Sequence, residues 1–137
     1  MEIERIQRTV QQAWSRQHWD DWRATCDDSY QFRLTSTMHL DLGQTLEWSR
    51  AWFAAFPDYT EEVRGVYVSA GSVAYEVTGR GTSSADLTFS GRTLIPLARG
   101  RTFTVDYAKV LVANAAGKVT HDRQYFDADA LRRQLLS

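Results

Sequence analysis

The sequence predicts an α+β fold, and three observations predict it. Apolar residues recur at helical spacing in the first part of the chain, the period changes to two after Pro57, and glycine-containing turns separate the later runs. Helices followed by long antiparallel strands is the order expected when a sheet packs under helices. Long strands twist, and a curved sheet folded over helices encloses a cavity.

Each element has its own signal. Ile3, Ile6, Val10 and Trp14 give an amphipathic first helix over about 2–17, and Trp19 and Trp22, three apart, a shorter one over about 20–26. SYQFRLT (29–35) reads as a short strand. Leu46, Trp52, Phe53 and Phe56 make a third helix over 44–56, which stops at Phe56-Pro57-Asp58 because the residue before proline is pushed out of the α region. Val66 and Val68 then alternate, as do Val73, Tyr75 and Val77, with Ala70-Gly71 as the hairpin turn between them. Strands over about 101–112 and 118–126 are joined by a turn at 113–117. Asp127 is placed to cap a short C-terminal helix carrying Leu131 and Leu135.

The bulk properties restrict function by exclusion. With 137 residues, 43% of them hydrophobic, the chain supports one core, read as a single domain over 1–137. A net charge of −1 provides no field for nucleic acid or anionic lipid. Cys26 stands alone, so neither an intrachain disulfide nor a cysteine-rich metal site can form. The opening MEIERIQRTV has no apolar signal segment, and no stretch reaches the roughly 18 apolar residues of a membrane span. A cytoplasmic protein is expected, with no membrane or nucleic-acid partner. The basic residues are all arginine except Lys109 and Lys118, a skew that points to a GC-rich bacterial genome.

Site candidates come from the last hairpin. With the turn at 113–117, Val112 faces Lys118, Asp106 faces Gln124 and Ala108 faces Asp122. On that register Asp106, Asp122, Gln124 and Phe126 share the concave face, and Phe103, Val105, Tyr107, Leu111, Val119, His121 and Arg123 share the other. Two carboxylates on one concave face raise each other's pKa, which suits general acid–base work. Asp122 and Asp106 are therefore the catalytic candidates, with Gln124 as hydrogen-bonding partner. The competing reading is that both aspartates are solvated. An apolar patch of Phe103, Val105, Tyr107, Leu111 and Val119 on an uncovered face predicts a homodimer through the sheet.

AWFAAFPDYTEEV (51–63), the glycine-turn hairpin and GKVTHDRQYFDADALRRQLL (117–136) together resemble the SnoaL-like polyketide cyclase group of the nuclear transport factor 2-like superfamily. The resemblance implies a cone of curved, mostly antiparallel sheet packed against three N-terminal helices, usually dimeric, with a deep apolar pocket, no metal and no cofactor. It implies an aspartate on the last strand as acid–base for an aldol closure, matched to Asp122. The related limonene epoxide hydrolases share an ending matched by Arg123, Tyr125, Phe126 and Asp127, but Gln124 stands where their catalytic aspartate would be. Gln cannot act as a base on water, which argues against epoxide hydrolysis.

Further candidates line the expected pocket. His39 lies between the first strand and the third helix, placed either to relay protons at the mouth or as an exposed loop residue. Trp52, and after it Trp14, are candidate walls for a planar hydrophobic ligand, and Tyr30 a candidate hydrogen-bond donor to an enolate. His18 and His121 form no metal constellation. Two functions remain open: a cofactor-free cyclase or isomerase acting on a hydrophobic, polyketide-like molecule, or a non-catalytic ligand-binding or dimerisation module of the same fold.

Overall fold

The computed structural model describes residues 2–35 and 37–136. Helices α1 (Ile3–Ser15) and α2 (Trp19–Ala24) lead into strand β1 (Cys26–Leu34), β2 (Met38–Asp41) and helix α3 (Leu42–Ala55). Strands β3 (Thr60–Ser69), β4 (Ser72–Thr82), β5 (Leu87–Phe89), β6 (Arg92–Ile95), β7 (Thr102–Ala113) and β8 (Val119–Tyr125) follow, then helix α4 (Ala128–Leu136). Six strands form one curved mixed sheet in the order β2-β1-β8-β7-β4-β3, and β5 and β6 pair separately. The β1–β8 pair is parallel, which brings residues from the start and the end of the chain side by side at the sheet's centre.

Local chemistry sets the ends of these elements. Asp41 closes a capping box on α3: its carboxylate accepts from the Gln44 N–H at 2.8 Å, and Gln44 Oε1 accepts from the Asp41 N–H at 3.0 Å. The Asp127 carboxylate accepts from the Ala130 N–H at 3.1 Å, the cap its sequence position predicted. Gly71, in the left-handed region at φ 71°, turns β3 into β4. Three strands, β2, β5 and β6, were not foreseen. The segment containing His39 is β2, and Ser90-Gly91, both at positive φ, turns the β5–β6 hairpin.

The register of the last hairpin corrects the expected one. Val112 pairs with His121, Leu111 with Asp122 and Lys109 with Gln124. The turn begins one residue later than expected, since Ala113 pairs with Val119, and Thr120 is then an extra residue on β8, a bulge. The combined slip is odd, so β7 presents the opposite set of side chains to the face that carries Asp122. Phe103, Val105, Tyr107 and Leu111, expected on an uncovered face, lie in the core, as does Val119. The apolar patch that predicted a dimer is therefore interior. Asp106 instead occupies the exposed face, where it accepts from the Thr78 hydroxyl at 2.6 Å.

The core fills the concave side of the sheet. Tyr30 and Phe32 of β1, Val73, Tyr75 and Val77 of β4, and the inner residues of β7 meet Trp48, Trp52, Phe53 and Phe56 of α3 and Trp22 of α2. Gly79 has no side chain because the Tyr59 phenol occupies the space a Cβ would need.

Candidate functional site

Asp122 is buried on the concave face, 7% exposed. Tyr30, on the neighbouring parallel strand, donates its hydroxyl to Asp122 Oδ2 at 3.0 Å. Gln124, two residues along β8 and so on the same face, approaches Asp122 Oδ1 at 3.5 Å. Burial pushes the Asp122 carboxyl above the usual carboxylate range; Lys109, Tyr30 and Gln124 oppose that shift without cancelling it. Burial, reinforced by Asp122, holds the Tyr30 phenol well above its ordinary value, so it remains a donor. Burial pushes the thiol of Cys26, nearby on β1, up to about 12, which disfavours its thiolate.

A second buried polar group was missed at the sequence level. Lys109, one of two lysines in the chain, points inward from β7 and is 4% exposed. Its Nζ lies 2.7 Å from Glu61 Oε1, with both side chains almost wholly buried, and sits over the rings of Trp14, Tyr107 and Tyr75 at 5.0, 5.4 and 5.8 Å. Glu61 also accepts from Gln11 Nε2 and from the Tyr59 hydroxyl, both at 2.8 Å. Burial alone would lower the lysine, but Glu61, Tyr75 and Asp122 outweigh it and hold the ammonium above its usual value. The signal was the alternation of Phe103, Val105, Tyr107 and Leu111: position 109 falls in phase with core residues, and a lysine in that phase needs a buried anion.

These groups border a small chamber that lies beside a larger cleft. A chamber of about 30 Å³ is lined by Asp122, Lys109, Gln124, Tyr75, Ser49 and Gln11 among others. It has room for one water or one small functional group, not for a ring. Beyond it lies a cleft of about 330 Å³, walled by Trp48, Trp52, Leu87, Ile95, Phe126 and Leu131, with Arg92 and Arg132 also in its lining. Trp14, Trp48 and Gln124 line both spaces, so they stand between the cleft and Asp122. The arrangement sets an apolar cleft beside a chamber that holds a buried carboxylic acid, with Trp14, Trp48 and Gln124 as the partition.

The sequence candidates divide accordingly. The structure brings Asp122, Tyr30 and Gln124 together and places Trp14, Trp52 and Phe126 on the cleft wall. It does not bring in Asp106, which the register puts on the opposite face. Nor does it bring in His39: on β2, paired with Arg33, it lines a broad depression of about 510 Å³ on the exposed face with Gln31, His121 and Arg123. Among the described residues no three His, Cys, Asp or Glu side chains are placed to hold a metal. Nor is any described helix long and apolar enough to cross a membrane.

Comparison with known proteins is consistent with this geometry. The family model described as SnoaL-like polyketide cyclase matches residues 4–135. No curated protein sequence matches the chain. Among solved structures, a proposed SnoaL-like polyketide cyclase from Jannaschia sp. CCS1 superposes with a TM-score of 0.82 at 20% identity, covering 97% of this chain and 90% of its own. IdmH of Streptomyces antibioticus, a proposed polyketide cyclase, gives 0.80 at 19% identity, covering 98% and 99%. An LEH-like epoxide hydrolase of M. tuberculosis gives 0.72 at 15% identity, covering 96% and 87%. At these identities the likeness establishes the fold, which is the nuclear transport factor 2-like one.

Proposed function

Because the chain belongs to the SnoaL-like polyketide cyclase family, we propose that it is a cofactor-independent cyclase or isomerase for a hydrophobic, polyketide-like molecule, with Asp122 as its acid–base group. One observation carries the reading: a carboxylic acid with a raised pKa borders a chamber that shares Trp14, Trp48 and Gln124 with the wall of an apolar cleft. A carboxyl tuned toward neutrality is effective both at taking a proton and at returning it.

In the proposed reaction the ring body occupies the cleft and a CH₂–C=O edge enters the chamber past Gln124. The Asp122 carboxylate removes the α-proton, leaving an enolate whose oxygen is stabilised by the Lys109 ammonium. For cyclisation the α-carbon bonds to a second carbonyl carbon, and the alkoxide so formed takes the proton back from Asp122. No atom is gained or lost. Tyr30 holds Asp122 Oδ2, leaving Oδ1, beside Gln124, to face the substrate. Glu61 keeps Lys109 charged and in place.

A second reading, ligand binding without turnover, is favoured by the position of Gln124, Trp14 and Trp48 between cleft and acid. The homodimer remains part of the proposal, but it must use the exposed face of the sheet, where Tyr125 is 47% exposed. A thermal-shift panel of aromatic polyketides, steroids and terpenoid epoxides, followed by turnover of any stabilising compound, separates the two readings. The enzyme reading expects turnover that Asp122→Asn abolishes while the fold survives. Stabilisation without turnover supports the carrier, and turnover unchanged in Asp122→Asn removes the aspartate from its role.

A further inference from the structure

We propose that the cleft selects a ligand bearing an acidic group, with the acid held by Arg92 and Arg132. The inference rests on the reading of the cleft as a small-molecule pocket and adds the chemical class of what fills it. Among the described residues the cleft lining contains two guanidinium groups and no carboxylate. Arg92, on β6, is exposed and has no side-chain partner among the described residues. Arg132, on α4, reaches the Leu94 carbonyl at 3.4 Å, a long contact that leaves most of its donors unused. Its neighbour Arg133 is differently placed, 3.9 Å from Asp127. In a chain of net charge −1, two unneutralised arginines on one apolar cleft make a local positive field. Planar guanidinium forks match a carboxylate better than any neutral group.

The apolar and aromatic walls around the two arginines, among them Trp48, Trp52 and Phe126, suit a flat hydrophobic body. The ligand class is thus an aromatic or polycyclic molecule with a free acid at one end.

The test is calorimetric titration with 2-naphthoate and its uncharged methyl ester, which share ring and carbonyl and differ in charge. The wild-type protein is expected to bind the acid about tenfold more tightly, as a charge-assisted pair would give. Arg92→Gln/Arg132→Gln is expected to lose that preference while binding the ester as before. Equal binding of acid and ester, or a preference that survives the double substitution, overturns the acid site but leaves the pocket reading intact. Binding of neither probe overturns both this inference and the pocket reading beneath it.

Discussion

Tyr30 and Asp122, 92 residues apart in sequence, are joined by a 3.0 Å hydrogen bond inside the sheet, on strands that run parallel. The phenol donates to the charged form of the acid and so restrains the rise that burial imposes. Tyr30→Phe should therefore move the Asp122 titration further upward. It should also cost about 1.5–3 kcal/mol, the contribution of a hydrogen bond to a charged group. Carboxyl-detected NMR across a pH series checks the first effect and denaturant unfolding the second; a downward shift would show that the phenol does not serve the carboxylate.

Burial of Asp122 also makes stability depend on pH. An unfolded aspartate titrates near 3.9, and the folded value is higher, so the native state holds the proton more tightly. The stability linked to this group is complete below about pH 4 and is lost as pH rises through the folded value. Asp122→Asn cannot ionise and escapes the loss. Its melting temperature should gain on the wild type as the pH goes from 4 to 7, and a gap that stays constant would contradict the linkage.

Lys109 and Glu61 should behave as one unit. Lys109→Met leaves the Glu61 carboxylate buried beside Tyr59 and Gln11 without its counter-charge, and should cost about 3–5 kcal/mol. Adding Glu61→Gln should restore much of that loss, giving a large coupling energy in a double-mutant cycle. Additive losses would mean that the two charges do not depend on each other.

The wall behind this pair is tightly fitted. A Cβ at Gly79 would collide with the Tyr59 phenol, which donates to Glu61 and lies 3.1 Å from the Tyr107 hydroxyl. Gly79→Ala should lose about 1–3 kcal/mol, the usual cost of overpacking. Urea unfolding measures it, and an unchanged midpoint would show that Tyr59 can move aside freely.

How much of this was legible in the sequence follows from the range of each signal. Helix periodicity, the Phe56-Pro57 stop, the Gly71 turn and the Asp127 cap are local, and each appears where its residues indicate. That Asp122 and Gln124 share a face was also readable, because alternation within one strand needs no partner. What failed was register between strands. A turn displaced by one residue and a bulge at Thr120 reversed the face of β7 relative to β8, removing Asp106 from the site and sending the supposed surface patch into the core. Lys109 was in phase with that core all along, but its counter-ion lies 48 residues away on β3, beyond any local pattern. His39 was assigned to a loop because β2 has only four residues and its alternation is too short to recognise.

In the proposed reaction Asp122 moves a carbon-bound proton for a ligand in the cleft. The most direct measurement is α-proton exchange of 2-tetralone in D₂O, followed by proton NMR with wild-type protein and with Asp122→Asn. Exchange well above the buffer rate is expected with the wild type, and none above buffer with a folded Asp122→Asn. Equal exchange by the two proteins would contradict the proposed reaction.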